Sequence, residues 1–158
     1  EPVFGGVYKL AAVEDKAGNI IPKIKISANP AKITTPHFKK VYRLFDNESG
    51  KAFADLITLH DERVEEGKPL ELFDPDATWK RSVFTNFTAK ELLVPVFRAG
   101  KRVYNSPPIA EMRAYCAGQI DLLWDEVKRF ENPHKFYVDL SPKLWEIKQR
   151  LLESHSQF

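Results

Sequence analysis

The chain has 158 residues, of which 43% are apolar and 29% charged, and its formal net charge is +2. This length is enough for one domain with a real core, and no apolar stretch approaches the roughly 18 residues of a membrane-spanning helix. The single cysteine, Cys116, excludes an internal disulfide and a zinc site built on several cysteines, and it is compatible with a reducing cytoplasm.

The chain begins with strand signals. It opens at Glu1 without an initiator methionine and enters a strand-like run almost at once, so we expect it to be a piece of a longer protein. Residues 7–13 and 20–27 are strand-like and flank turn residues at 15–19, which predicts a β-hairpin. An ordered loop is expected at 27–36, where two prolines interrupt the pattern.

A second hairpin is predicted further along. Residues 41–45 and 53–59 flank a turn at 46–50 that is rich in Asp, Asn, Ser and Gly. A charged loop at 61–69 should lie at the surface, so the acids within it are interpreted as solvated rather than as paired catalytic carboxylates. Further short strands are expected at 70–73, 79–85, 92–97 and 102–104.

Two helices are expected near the C-terminus. Ser106 is a candidate N-cap before two prolines, and apolar residues then recur at spacings of three and four over about six turns. That apolar stripe consists of Ile109, Met112, Cys116, Ile120, Leu123, Val127 and Phe130. Cys116 is therefore predicted to be buried, and a second helix should start at Ser141. The predicted fold class is α+β, with a β-rich part at 1–105 and a helical region at 106–158.

Charge is strongly separated along the chain. Residues 16–45 contain seven basic residues and no acid, whereas residues 46–76 contain ten acids and three basic residues. Such a chain can present a basic surface to an anion while staying near neutrality overall. Alternation along strands would place Lys9 and Lys25 on one surface of the first hairpin, where each could meet a phosphate oxygen. The alternative is that both reach solvent or pair with the acids of 46–76.

Other residue types suggest no site. Phosphate-binding glycine loops and nucleophile motifs are absent from the sequence, and the four histidines lack the spacing of metal ligands. We therefore predict no catalytic residue and no metal ligand in this chain. The three tryptophans, Trp79, Trp124 and Trp145, are interpreted as core or interface anchors.

Several motifs, taken together, resemble the nicotinate phosphoribosyltransferase family over nearly the whole chain. They are Gly5-Gly6-Val7-Tyr8-Lys9-Leu10, Lys23-Ile24-Lys25-Ile26-Ser27 leading through Asn29-Pro30 to Lys32, Thr35-Pro36 with Lys39-Lys40-Val41-Tyr42-Arg43, Leu92-Leu93-Val94-Pro95-Val96-Phe97, and residues 123–133. One departure is Pro36-His37, where many members of the family read Pro-Gly.

The resemblance implies the C-terminal third of an enzyme of NAD salvage. Such an enzyme joins nicotinate to phosphoribosyl pyrophosphate with ATP hydrolysis, and it folds as the α/β barrel of a type II phosphoribosyltransferase. The full-length enzyme would use ATP and Mg²⁺, neither bound by this segment alone, and would act as a cytoplasmic homodimer. In related enzymes lysines at the positions of Lys9 and Lys25 reach phosphate groups. The nicotinate-binding and phosphate-accepting residues would lie upstream of Glu1, so the segment alone should be inactive.

Two other functions remain open from the sequence. The chain could be a stand-alone, non-enzymatic β-rich module that binds an anionic ligand or partner. Binding of a nucleic acid is disfavoured because the basic stretch has few interleaved aromatic residues, namely Phe38 and Tyr42. Binding to a membrane is not expected either.

Overall fold

A four-stranded sheet forms the centre of the fold in the computed structural model, which describes residues 5–155. Strand β3 (Lys39–Asp46) runs antiparallel to β4 (Ala52–Leu59), which confirms the hairpin predicted at 41–59. Its turn is closed because the Asp46 carboxylate accepts hydrogen bonds from the backbone N–H (2.9 Å) and hydroxyl (2.5 Å) of Ser49. These bonds, the one from the Ser49 hydroxyl first, lower the pKa of Asp46.

Two further strands complete this sheet. Strand β7 (Phe87–Glu91) pairs antiparallel with β3, and β10 (Tyr137–Leu140) pairs parallel with β4, giving the order β10-β4-β3-β7. The predicted strand at 92–97 is wrong in position, because the pairing residues are 87–91 and the chain leaves the sheet before Pro95. Strand β10 lies within the region expected to be helical, and the sequence pattern does not predict it.

Three two-stranded hairpins accompany the sheet. They are β1 (Ala12–Glu14) with β2 (Ile20–Pro22), β5 (Leu70–Asp74) with β6 (Ala77–Phe84), and β8 (Phe97–Arg98) with β9 (Lys101–Arg102). The turn predicted at 15–19 is confirmed, but β1 and β2 have three residues each rather than seven or eight. Beyond Pro22 one more backbone bond forms, from the Lys23 N–H to the Ala11 carbonyl at 2.8 Å. Residues 7–10 take part in no strand pairing, and Val7 and Tyr8 among them are exposed.

The helical region differs from the prediction at its centre. Helix α1 (Ile109–Asp121) ends early, and the short α2 (Asp125–Lys128) follows it. The break arises where the Leu122 carbonyl accepts a hydrogen bond from the backbone N–H of Ala52 at 2.8 Å, so the sheet uses a group that a continuous helix would need. Ser106 is not the N-cap, because α1 begins after Pro108 and no side chain caps it.

Helix α3 (Pro142–His155) confirms the second predicted helix. The Ser141 hydroxyl accepts a hydrogen bond from the Leu144 N–H at 3.3 Å, which is the geometry of an N-cap. Leu144 is completely buried and packs with Leu59 and Leu140, forming one of two apolar clusters. The helix is thereby fixed to the ends of β4 and β10.

The main core lies between the sheet and the β5–β6 hairpin. Its buried members are Tyr42, Leu44, Ala54, Leu56, Leu72 and Phe87. A register shift between Leu44 and Phe45 marks a bulge in the β3–β4 pair, opposite Phe53. The Phe53 ring stacks on Phe84 with centroids 4.5 Å apart. This stacking joins the hairpin to the sheet.

Much of the apolar stripe predicted to be buried is instead exposed. Ile109 is 75% exposed, Phe130 is fully exposed, and Cys116 is also exposed, which contradicts the burial predicted for the thiol. Trp79 and Trp124 are exposed, whereas Trp145 is half-buried and donates its indole N–H to the Pro75 carbonyl at 3.1 Å. Along residues 5–155, no helix is both long and apolar enough to span a bilayer.

Candidate functional site

The candidate phosphate-binding surface begins at the β1–β2 turn. The Asp15 carboxylate accepts hydrogen bonds from the backbone N–H of Ala17 (2.8 Å) and of Asn19 (2.9 Å) and from the Asn19 side-chain amide (2.8 Å). The bond from the Asn19 side chain is the main cause that lowers the pKa of Asp15. Gly18 has φ +84°, a left-handed conformation that glycine adopts without a steric penalty. The turn is therefore well defined by its own residues.

Lys9 and Lys25 lie outside the short strands, so strand alternation does not place them on one face. Both nevertheless contact one short segment, residues 32–34. The Lys9 ammonium donates a hydrogen bond to the Lys32 carbonyl at 3.2 Å. The Lys25 backbone N–H donates to the Thr34 hydroxyl at 3.0 Å, and the Thr34 N–H donates to the Lys25 carbonyl at 3.4 Å. The loop at 27–36 thus brings the two lysines to a common segment.

That loop is ordered by its own turn chemistry, as predicted. A 3₁₀ turn at Pro30–Lys32 is capped by Asn29, whose side-chain oxygen accepts from the Ala31 N–H at 3.0 Å. The Lys32 N–H in turn donates to the Asn29 carbonyl at 2.9 Å. The Lys32 carbonyl that receives the Lys9 ammonium is therefore held in place.

Three cations of the basic stretch serve the fold instead of a ligand. Arg43 forms a two-pronged pair with Asp55 (2.9 and 3.0 Å) across β3 and β4, and these bonds raise the pKa of Arg43. Lys40 lies 3.8 Å from Glu91. The Lys39 ammonium donates to the carbonyls of residues 35, 36 and 37 at 2.9, 3.2 and 2.7 Å. Burial lowers the pKa of Lys39.

The remaining lysines of this part of the chain are exposed and could face an anion. They are Lys9, Lys16, Lys23, Lys25 and Lys32. Within the described part of the chain none of them forms an ion pair with a carboxylate. The alternative in which they pair with the acids of 46–76 is therefore not observed. The side chains are exposed, and the Lys9 ammonium also meets the Lys32 carbonyl.

The comparisons with known proteins bear on this arrangement. Residues 38–148 match the family model described as the nicotinate phosphoribosyltransferase C-terminal domain. The chain belongs to this family. It is 40% identical to the nicotinate phosphoribosyltransferase of Bacillus subtilis (strain 168) over 158 residues, which are 99% of this chain and 32% of that protein.

More distant relatives agree. The human nicotinate phosphoribosyltransferase is 29% identical over 157 residues, covering 99% of this chain and 28% of that protein. The crystal structure of human nicotinic acid phosphoribosyltransferase superimposes with a TM-score of 0.67 at 24% identity, over 75% of this chain and 24% of that one. The chain thus spans about a third or less of the curated relatives it matches, and the structural likeness supports the shared fold.

The turn at His37 has an unusual backbone for a residue other than glycine. His37 adopts φ +80°, the left-handed conformation in which glycine is favoured, so the backbone keeps the shape that a glycine would allow. Its ring lies 6.2 Å from that of His60, and Phe38 stacks on His60 at 4.8 Å. Two of the four histidines are therefore neighbours, which their spacing in the sequence does not predict.

Glu62 is a second residue whose place the sequence does not indicate. It lies in the charged loop expected to be solvated, but it is half-buried and its Oε2 accepts hydrogen bonds from the Leu59 N–H (2.8 Å) and the Ser141 hydroxyl (2.6 Å). It therefore joins the end of β4 to the start of α3. In the range 5–155 no three His, Cys, Asp or Glu side chains are grouped so that they could hold a metal ion.

Proposed function

We propose that this chain is the C-terminal part of an enzyme that forms nicotinate mononucleotide from nicotinate and phosphoribosyl pyrophosphate with ATP hydrolysis, a reaction of NAD salvage. The observation that carries the proposal is the match of residues 38–148 to the family's C-terminal domain, together with 40% identity to the bacterial relative along 99% of the chain. In this proposal the segment contributes structure, part of a dimer interface and phosphate contacts.

The uncovered apolar surface supports a role within a larger enzyme. The exposed face of α1, the β8–β9 hairpin and the residues just before that hairpin carry apolar side chains that a stable protein would normally cover. They include Val94, Val96, Phe97, Ile109, Met112 and Tyr115. We place the preceding part of the polypeptide against this surface, where it completes an α/β barrel, and a second subunit nearby.

The phosphate contacts are assigned to Lys9 and Lys25. Three observations support this assignment. Both side chains are exposed, both residues contact the segment 32–34, and in the described part of the chain neither forms an ion pair with a carboxylate. Each ammonium that meets a phosphate oxygen would form a charge-assisted hydrogen bond worth roughly 1.5–3 kcal/mol. Phosphoribosyl pyrophosphate is the substrate that offers the most such oxygens.

ATP and Mg²⁺ are proposed to bind the preceding part of the enzyme. No cluster of ligating side chains in the described range fits a metal ion, so no step of the reaction is assigned to a metal held by this segment. The cytoplasm is the proposed compartment, because an exposed, unpaired Cys116 suits a reducing environment.

The function is tested by comparing two proteins. One, the long form, joins this chain to the preceding part of the proposed enzyme, and the other is the 158-residue chain alone. The long form should make nicotinate mononucleotide when supplied with nicotinate, phosphoribosyl pyrophosphate and ATP, and the chain alone should make none. A long form without this activity would overturn the proposal. If the long form were inactive and the 158-residue chain alone bound inorganic phosphate, the results would favour the stand-alone anion-binding module.

The lysine assignment is tested in the active long form. Lys25→Met and Lys9→Met should each weaken the binding of phosphoribosyl pyrophosphate about 10–150-fold, because the ammonium is lost while most of the apolar stem remains. The control is Lys16→Met, at the exposed β1–β2 turn, which should bind like the parent enzyme. If both lysine variants bound phosphoribosyl pyrophosphate with unchanged affinity, the phosphate contacts assigned to Lys9 and Lys25 would be refuted.

A further inference from the structure

A cavity of about 320 Å³ lies between the β5–β6 hairpin and the β4–β10 edge of the sheet, within the elements that form the main core. Aromatic rings form much of its wall, and two carboxylates and two cations complete it. The wall includes Phe53, Phe73, Phe84, Asp74, Asp139 and Arg81. None of the lysines assigned to phosphate lines this cavity, so a ligand bound there would be independent of the proposed function.

Asp139 is the unusual group in this cavity. The residue is only 5% exposed, yet in the part of the chain that the structure describes no group donates a hydrogen bond to its carboxylate. Burial, and secondly the charge of Asp74, raise the pKa of Asp139 to about 6, while the charge of Lys135 opposes the shift. The Asp139 oxygens are not among the fully buried polar atoms without a partner, so they still reach the open cavity. A carboxylate with so little exposure and no donor is nevertheless costly, since it has lost most of its contact with water.

The cations of the cavity wall do not supply that partner. Arg81 is engaged with the Glu71 carboxylate and with the Thr78 carbonyl at 2.9 Å, and its guanidinium lies 5.1 Å from the centre of the Phe73 ring. Lys80 is exposed at the outer wall. The cavity therefore offers an acceptor and aromatic faces, and among the described residues no donor of its wall is hydrogen-bonded to that acceptor.

We propose that this cavity binds a flat aromatic cation, with its ring against the phenylalanines and its positive group hydrogen-bonded to Asp139. A cavity of this size holds a single substituted ring, and a few polar groups in an apolar wall are typical of small-molecule sites. Aromatic faces attract a cation, and the neighbouring carboxylate of Asp74 adds to that attraction. Amidines and protonated amino-heteroaromatic rings have the required chemistry.

The test uses benzamidine as the probe and the 158-residue chain, with binding followed by backbone amide NMR shifts. Benzamidine should shift the resonances of residues 72–74, 81–84 and 137–139 to saturation. Benzyl alcohol, which has the same ring without the charge, should bind at least about tenfold more weakly, since one charge-assisted hydrogen bond is worth that much. Equal binding of the two probes, or no saturable shift, would overturn the proposal.

Two variants locate the interaction. Asp139→Asn should weaken benzamidine binding about tenfold or more, whereas Asp76→Asn, which changes an exposed acid outside the cavity, should leave it unchanged. If Asp139→Asn bound benzamidine with unchanged affinity and shifted the same amide resonances, the contact assigned to Asp139 would be wrong. If Asp139→Asn does not fold, Asp74→Asn takes its place and should weaken binding by a smaller factor.

A pH series on the unmodified chain gives a readout that needs no variant. Benzamidine remains a cation across the range, so its affinity should fall about tenfold between pH 7.5 and pH 5 as Asp139 takes up a proton. The groups around Asp139 are Asp74 on β5, Lys80 and Arg81 on β6, and Lys135 and Tyr137 at β10. A pH-independent affinity would show that the cation does not contact this carboxylate.

Discussion

Glu62 is expected to be a main determinant of how the helix α3 is held on the sheet. Its Oε2 accepts hydrogen bonds from the Leu59 N–H and the Ser141 hydroxyl, and the same hydroxyl accepts from the Leu144 N–H. In Glu62→Ala, both donors lose their acceptor at a partly buried position. Leaving a buried donor unpaired costs about 1–3 kcal/mol, so we expect the free energy of unfolding to fall by about 2–4 kcal/mol.

The assay is urea unfolding at pH 7, followed by circular dichroism. The matched control is Glu65→Ala in the same loop, since Glu65 is exposed and its carboxylate contacts the Lys68 ammonium (2.5 Å). An exposed ion pair contributes roughly 0–1 kcal/mol, so this control should change stability little. The role assigned to Glu62 would be refuted if Glu62→Ala were no more destabilising than Glu65→Ala.

A double-mutant cycle separates the contact from other effects. Ser141→Ala removes both the donor to Glu62 and the N-cap of α3, and should cost about 1–2 kcal/mol or more. If the two side chains act through their shared hydrogen bond, the double variant should lose at least about 0.5 kcal/mol less than the two single losses added together. Strict additivity would mean that each residue acts separately.

Four further predictions concern single residues. His37→Gly should raise the free energy of unfolding in urea by about 0.5–1 kcal/mol, because a left-handed backbone is relieved, and a loss of stability would contradict this. Lys39→Met should lower the free energy of unfolding by about 2–3 kcal/mol, because three carbonyls lose their donor. The control Lys40→Met, which removes only an ion pair with Glu91, should lower it by less than about 1 kcal/mol. Cys116 should react rapidly with a thiol reagent in this chain and slowly in the long form, and equal rates would argue against a covered α1 face. Because the pKa of Asp139 is higher in the folded state, stability should fall as the pH rises from about 4 to about 6, and Asp139→Asn should flatten a melting-temperature profile over that range.

The elements predicted correctly are those whose signals are local. The β3–β4 hairpin depends on the turn at 46–50, whose Asp46 and Ser49 bond each other, and on alternation in the flanking residues. Helix α3 likewise carries its own N-cap in Ser141. Such features need no information from distant parts of the chain, so a sequence pattern is enough to predict them.

The elements that a sequence pattern misses depend on distant partners. Strand β10 forms because the exposed edge of β4, more than seventy residues earlier, offers it a parallel ladder. Helix α1 ends where the Leu122 carbonyl accepts a hydrogen bond from the Ala52 N–H. The position of Glu62 beside Ser141 is decided by the same tertiary arrangement. Periodicity identifies which residues share a face, but it cannot say which distant backbone groups will compete for them.

The candidate site shows how a choice of residues can rest on an incorrect geometry. Strand alternation selects Lys9 and Lys25, yet the ladder of β1 and β2 stops at Pro22 and neither lysine lies in a strand. They reach a common segment because the loop at 27–36 folds back, with the Lys32 carbonyl binding one lysine and Thr34 binding the backbone of the other.

The same loop separates the lysines by role. Lys39 is enclosed by the carbonyls that end this loop, whereas Lys9 and Lys25 keep exposed side chains. A lysine whose three donors already meet carbonyls has little left for a ligand, and one whose charge faces solvent is available to an anion. The contacts that each lysine makes with this loop, rather than its position along a strand, therefore decide which lysines of the basic stretch could bind phosphate.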